Sequence, residues 1–116
     1  MATNLNVTLR EINSTEGVHE TLVVGRDGFV IEHVGDMEAD EVGAILSTAI
    51  GAIEAMGRDA SQGKLDEIMA EFEDGIVLLA PLGDQAVLGV VAQQGSNLGR
   101  VRYEVKKRLY DLSRAL

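Results

Sequence analysis

The feature that most constrains this chain is an uncharged helical segment in its middle. Residues 39–57 read ADEVGAILSTAIGAIEAMG, and no charge lies between Glu41 and Glu54. Apolar residues recur there at spacings of three and four, the period of a helix side packed on a core. A bilayer span takes about 20 apolar residues, so we predict a core-packed helix over 39–57 and no membrane insertion. The predicted core positions are Val42, Leu46, Ala49, Ile53 and Met56, with Ile45 beside them.

The opposite side of this helix carries only small, uncharged residues. A helix side that faces water normally carries lysine, glutamate or arginine, and Gly51 inside a helix costs about 1 kcal/mol relative to alanine. A second backbone packed closely against this side would explain the pattern; the alternative is an alanine-rich side that simply contacts water. We expect the first, a helix buried on two sides. The candidate contact residues are Ala44, Ser47, Thr48, Gly51 and Ala55.

The charge of the chain is −9 and is unevenly spread. Residues 1–99 hold 17 acidic and four basic side chains, whereas residues 100–116 hold six basic and two acidic ones. The acidic body disfavours nucleic acid as a partner. The basic segment is most simply a solvated helix side, and docking to an acidic partner stays open. The absence of cysteine excludes disulfides and thiolate metal sites. Because the chain has no cysteine and no signal-peptide pattern at its N-terminus, we expect a cytoplasmic protein.

The remaining elements follow from polarity and turn signals. Residues 64–73 alternate, with Glu67, Met69 and Glu71 on the polar side, which predicts an edge strand and adds these three residues to the candidate contacts. Strands at 75–82 and 85–92 are apolar on both sides and should lie inside the sheet. The other predicted elements are a helix over 3–14, strands over 18–25 and 28–34, and a helix over 98–115.

Local signals also mark the turns and the helix starts. Arg26-Asp27-Gly28 predicts a hairpin, with either a two-residue or a bulged turn. Asp36 or Asp40 is the expected cap of the middle helix, and Ser96 or Asn97 that of the last. The predicted fold is a single α+β domain over residues 1–116, with element order α-β-β-α-β-β-β-α. Helices would cover both faces of one five-stranded antiparallel sheet, in three layers.

The sequence offers no convincing catalytic, cofactor or metal site. His19 and His33, the only histidines, are expected at partly exposed strand positions, and their spacing does not match a zinc motif. The stretch from Gly57 to Lys64 fails the phosphate-loop pattern in spacing and in its place between a helix and a strand. Residues 36–40 lack the glycine of a calcium loop. We therefore expect a protein that is not an enzyme.

Four segments together resemble the Roadblock family of dynein-light-chain-like domains. They are Val23–Ile31, residues 39–57, Asp74–Gly83 and Asn97–Glu104, and the likeness covers roughly residues 4–115. The resemblance implies a profilin-like three-layer domain. It further implies homo- or heterodimers in which the middle helices lie side by side and the following edge strands pair.

The resemblance also implies a class of partner. Dimers of this family bind or regulate Ras-like small GTPases, and the bacterial polarity regulator of this type accelerates GTP hydrolysis without an arginine finger of its own. The function we expect is therefore a homodimeric module that regulates or scaffolds a Ras-like GTPase. One alternative is a structural adaptor with no effect on nucleotide turnover. A weaker one is a small-ligand sensor, for which the sequence supplies no convergent polar groups.

Overall fold

The chain folds into one five-stranded antiparallel sheet with helices on both faces. The computed structural model describes residues 4–116, so the predicted helix start at Thr3 lies outside the described part. The elements are α1 (Leu5–Asn13), β1 (Val18–Gly25), β2 (Val30–Val34), α2 (Ala39–Asp59), β3 (Ile68–Phe72), β4 (Gly75–Leu82), β5 (Ala86–Gln93), α3 (Leu98–Lys106) and α4 (Leu109–Arg114). The strand order is β2-β1-β5-β4-β3. The predicted fold class is confirmed, with β3 at an edge and β4 and β5 inside.

Two hydrophobic clusters lie on the two faces of the sheet. On one face, α2 covers Leu22, Val24, Leu79 and Val87. On the other face, α1, α3 and α4 cover a larger cluster that includes Leu78 and Leu88. Because successive strand residues point to opposite faces, the doubly apolar sequences of β4 and β5 supply both clusters. This arrangement gives the three predicted layers.

Helix α2 is turned about its axis relative to the prediction. Ile50 is fully buried and Leu46 nearly so, whereas Ile45 and Met56 are 69% and 59% exposed. The core position predicted for Met56, and the place of Ile45 beside the core, are therefore wrong. This rotation of α2 follows from Gly43, where an added Cβ would lie 2.9 Å from Val30 Cγ2. Without a side chain at Gly43, α2 packs directly against Val30 and the Gly28 carbonyl, and Ile50, two turns later on the same side, lies in the core.

The start of α2 also differs from expectation. Glu38 occupies the N-cap position and makes no side-chain cap bond, so neither Asp36 nor Asp40 is the cap. Asp40 and Glu41 lie in the first turn, where the positive end of the helix dipole favours carboxylates. At the last helix the cap is Asn97, whose side chain accepts the N–H of Arg100 at 3.0 Å.

The predicted helix over 98–115 is interrupted after Lys106. In an unbroken helix the Glu104 carbonyl would accept the N–H of Arg108. Instead, it accepts the Arg108 guanidinium at 2.8 Å, and the Arg108 N–H donates to Val105 O. The chain therefore tightens for one turn before α4 begins.

Strand β3 and the first hairpin differ in smaller ways. Strand β3 begins at Ile68, four residues later than predicted. The first hairpin has the bulged form, because the register of β1 against β2 shifts between Val23 and Val24. His33 then pairs with Leu22 across the two strands.

Candidate interaction surface

The exposed side of α2 contains the small residues that the sequence singled out. Ala44, Thr48 and Gly51 are exposed, and Ser47 and Ala55 are half-buried. The Ser47 and Thr48 hydroxyls both donate to the Ala44 carbonyl at 3.0 Å. Because their protons are already used within the helix, these hydroxyls offer a partner only acceptor lone pairs. The other three residues of this side, Ala44, Gly51 and Ala55, carry no polar side chain.

Gly51 has no packing role within the described chain. Apart from Gly51 itself, its two chain neighbours and the adjacent backbone of α2, no described atom lies within 4 Å of the place where its Cβ would be. A helix glycine that its own domain does not require costs about 1 kcal/mol relative to alanine. Its presence is therefore consistent with a close contact that the single chain does not contain.

A second row of uncharged residues runs beside the first. The sequence analysis placed three of its four members, Ile45, Ala49 and Met56, in or beside the core, and of these Ala49 does pack against the core cluster. Ile45, Ala49, Ala52 and Met56 follow one another at spacings of four, three and four, so they share one side of α2. Ile45 and Met56 are among the most exposed large apolar residues of the described chain. Adding this row makes the exposed side of α2 an uncharged surface with two large anchors. We call the two rows together the α2 surface.

The three candidate residues of the 64–73 segment, of which Glu67 precedes the start of β3, do not join the α2 surface. Met69 and Glu71 pair with Leu78 and Ile76, which belong to the cluster on the opposite face of the sheet. Glu67 lies on that face as well, 2.6 Å from Arg102 Nη2 of α3. The structure therefore separates the candidate residues into two groups on opposite faces.

Among the residues of β3 on the face of α2, Phe72 is 63% exposed. Its place follows from its register with Gly75, since Ile68 and Ala70, which precede it at alternate positions, pair with the α2-side residues Leu79 and Val77. The alternating polarity of β3 correctly predicts on which face of the sheet Phe72 lies. Nothing in the sequence shows that its ring stays exposed.

An ion pair fixes the C-terminal half of α2 to the sheet. Arg26, in the turn between β1 and β2, donates to both carboxylate oxygens of Glu54, at 2.5 and 3.1 Å, and to the carbonyl of Gly83 at 3.1 Å. The hydrogen bond from Arg26 lowers the pKa of Glu54 below its ordinary value, by more than burial raises it. Glu54, the first charged residue after Glu41, is thus paired on the side of α2 that faces the sheet.

A buried carboxylate fixes the entry into α2, and sequence reasoning missed it. Glu20 of β1 is 6% exposed. Its carboxylate lies 2.8 Å from His33 Nε2 and accepts the N–H groups of Asp36 and Met37 at 3.0 and 3.1 Å. Burial raises the pKa of Glu20, but these hydrogen bonds together lower it by more, so it lies below the ordinary value. The loop from β2 to α2 is therefore folded around a charged group.

The surroundings of the histidines do not suggest catalysis. His33 is bound to Glu20, and His19 is largely exposed, 3.7 Å from the same carboxylate. Two clefts of about 610 and 660 Å³ lie elsewhere, and neither histidine lines them. Within residues 4–116, no group of three or more His, Cys, Asp or Glu side chains is placed to hold a metal ion. None of the helices in this range is long and apolar enough to span a membrane.

Comparisons with known proteins agree with this architecture. The uncharacterized protein MJ0310 of Methanocaldococcus jannaschii is 38% identical over 101 residues, which is 85% of this chain and 88% of that protein. Among solved structures, MglB of Myxococcus xanthus superposes with a TM-score of 0.88 at 16% identity, covering 94% of this chain and 91% of that one. Profilin IB of Acanthamoeba castellanii gives a TM-score of 0.71 at 16% identity, with coverages of 97% and 100%, so the profilin-like fold is confirmed.

The family itself is shown by the match of a sequence model. The model of the Roadblock/LC7 domain matches residues 5–92, from the start of α1 through nearly all of β5. This span includes α2, β3 and the hairpin whose residues suggested the resemblance. With the sheet order and the layers in place, the chain belongs to the Roadblock/LC7 domain family.

Proposed function

We propose that this protein is a homodimeric cytoplasmic module that binds a Ras-like small GTPase and regulates or scaffolds it, without being an enzyme itself. The observation that carries the proposal is the α2 surface, which is uncharged and exposes Ile45 and Met56 in a single chain. Exposed apolar patches of this kind mark sites of protein association. The second copy would cover this surface.

The free edge of the sheet supports self-association from a second direction. Within residues 4–116, strand β3 has a hydrogen-bonded neighbour only on the side of β4, so its other side offers unpaired backbone groups, to which another strand can bind. Phe72 at the end of β3 adds exposed apolar area on the face of α2. A second copy that pairs at β3 would extend the sheet across both protomers.

The small-GTPase part of the proposal rests on membership of the Roadblock/LC7 family. The regulation proposed is of the type that repositions the GTPase's own residues. The sequence agrees, because the α2 surface between Glu41 and Glu54 offers no arginine to insert into a nucleotide site. The net charge of −9 further favours a protein partner over a phosphate backbone.

The test is nucleotide-dependent association. The purified protein is mixed with the small GTPase encoded nearest to its gene, loaded with GTP or GDP, and binding is measured by calorimetry. We expect binding that differs between the two nucleotide states and is weakened by Gly51→Arg. Lack of binding to either form would refute the GTPase assignment.

The rate of GTP hydrolysis separates the regulator from the adaptor. An increased rate in the presence of the protein supports regulation. Binding with an unchanged rate would instead assign the protein to the adaptor class, which tethers its partner without changing turnover.

A further inference from the structure

The outer side of α3 and α4 carries cations and tyrosines in alternation. Arg100, Tyr103 and Lys107, at spacings of three and four, share one side of α3 and its C-cap. Tyr110 and Arg114 continue the same spacing onto α4. Both tyrosines of the chain lie here, and they are 57% and 68% exposed. We call these five residues the cation–tyrosine stripe. It lies on the layer opposite α2.

Cation–π contacts within the stripe favour one arrangement of its long side chains. The Arg100 Cζ and Lys107 Nζ atoms lie 6.0 and 5.1 Å from the ring centre of Tyr103. The Arg114 Cζ lies 5.5 Å from the ring centre of Tyr110, and its guanidinium donates to the Tyr110 hydroxyl at 3.1 Å. Side chains that are already ordered lose less entropy on binding a partner.

A buried carboxylate fixes the same cations from below. Glu104 is 5% exposed, and its oxygens lie 3.1 Å from Arg100 Nη2, 3.5 Å from Lys107 Nζ and 2.6 Å from Arg108 Nη1. Arg108, which is not part of the stripe, also lies 3.4 Å from Glu11 Oε2. Two carboxylates thus face these three cations, which leaves an excess of one positive charge. Sequence analysis counted these cations but could not show that a single carboxylate gathers them.

The charge of the rest of the molecule indicates what this stripe can bind. Residues 1–99 hold 17 acidic and four basic side chains, so an acidic partner is repelled over most of the protein and attracted at the stripe. Tyrosine and arginine are also the residue types that most often dominate binding energy at protein interfaces. A long polyanion such as nucleic acid would extend past the stripe onto the acidic body, which favours a short acidic segment.

We propose that the cation–tyrosine stripe docks an acidic segment of a partner protein, on the face opposite α2. This site does not depend on the proposed self-association or on the GTPase assignment. The protein would then hold two partners on two sides of one sheet.

The test uses a fluorescent synthetic helical peptide with glutamate at alternating spacings of three and four, and a twin with glutamine in place of each glutamate. Binding is followed by fluorescence anisotropy at low and high salt. We expect saturable binding of the glutamate peptide, about tenfold weaker binding of the glutamine twin, and weakening by salt. Failure of the protein to bind the glutamate peptide, or equal binding of both peptides, would overturn the proposal.

Three variants locate the site. Tyr103→Ala combined with Tyr110→Ala should weaken binding about tenfold or more, and Lys107→Ala should weaken it severalfold. The matched control is Lys106→Ala, which removes an exposed lysine one position away, on a different side of the helix. The control should bind within about twofold of the unaltered protein.

Two further results would also overturn the proposal. One is equal loss of binding in Lys106→Ala and Lys107→Ala, which would mean that only net charge matters. The other is tighter binding of a single-stranded oligonucleotide than of the glutamate peptide, which would assign the stripe to nucleic acid. Circular dichroism of each variant shows whether its fold is intact.

Discussion

Arg26 and Glu54 form a two-pronged ion pair, with nitrogen–oxygen distances of 2.5 and 3.1 Å, that joins the β1–β2 turn to the C-terminal half of α2. Both side chains are about three-quarters covered. The pair therefore joins the C-terminal half of α2, which carries part of the α2 surface, to the sheet.

A double-mutant cycle tests this pair. Arg26→Ala and Glu54→Ala should each destabilise the domain, and the two effects should be coupled by about 1 kcal/mol, since a bidentate pair exceeds an ordinary surface ion pair. The measurement is urea unfolding of the four proteins at neutral pH. Strictly additive effects would show that the pair does not act as a unit.

The buried Glu20 predicts a specific dependence of stability on pH. Its pKa is lower in the folded chain than the ordinary value of 4.5, so its contribution is fully present above that value and is lost as the pH falls through the folded-state pKa. Glu20→Gln should lower the free energy of unfolding by about 2 kcal/mol at pH 7, because bonds to a charged acceptor are lost. The difference from the unaltered protein should shrink in acid.

The control for this experiment is His19→Ala, which alters the largely exposed neighbour of Glu20. It should change stability little at either pH. A difference between Glu20→Gln and the unaltered protein that stays constant down to acid pH would count against the assigned role of Glu20.

Two glycines of α2 should respond in opposite ways to replacement by alanine. At Gly43 a Cβ would lie 2.9 Å from Val30 Cγ2 and 3.1 Å from the Gly28 carbonyl, so Gly43→Ala should destabilise the domain by about 1–3 kcal/mol. At Gly51 there is open space, so Gly51→Ala should raise the stability of the single chain by up to about 1 kcal/mol. Thermal and urea unfolding of both variants in dilute solution provide the test. Equal destabilisation by the two changes would mean that α2 is seated differently.

Bulk and charge on the two sides of α2 should also have different effects. Gly51→Arg places a long cation on the α2 surface and should impair association while the fold is retained. Ile50→Asp places an unpaired charge at a fully buried position and should unfold the domain. Circular dichroism read together with solution mass separates the two outcomes. An Ile50→Asp protein that stays folded would refute the assigned core side.

The sequence predicted the elements well where the pattern of polar and apolar residues fits only one assignment of element type and buried side. The doubly apolar strands β4 and β5 and the edge position of β3 follow from local signals, which also limited the cap of the last helix to Ser96 or Asn97. The rotation of α2 could not be predicted in this way. Its large apolar residues are spread over a wide part of the helix circumference, so two choices of buried side are almost equally good; these residues are Ile45, Ile50, Ile53 and Met56. What decides between them is the contact of Gly43 with Val30, which joins separate elements. The buried roles of Glu20 and Glu104 could not be predicted for the same reason. Each is one of 19 acidic residues in the sequence, and only the folded structure shows which donors surround it.

The central claim is that a second copy covers the α2 surface, and the solution mass of the purified protein tests it most directly. Light scattering should give twice the 12.4 kDa mass of one chain. Ile45→Glu should give the mass of a single folded chain. The control, Val7→Glu, alters an exposed apolar residue of α1 on the opposite layer and should leave the mass doubled. A single-chain mass for the unaltered protein at every concentration, or a doubled mass for Ile45→Glu, would contradict the account.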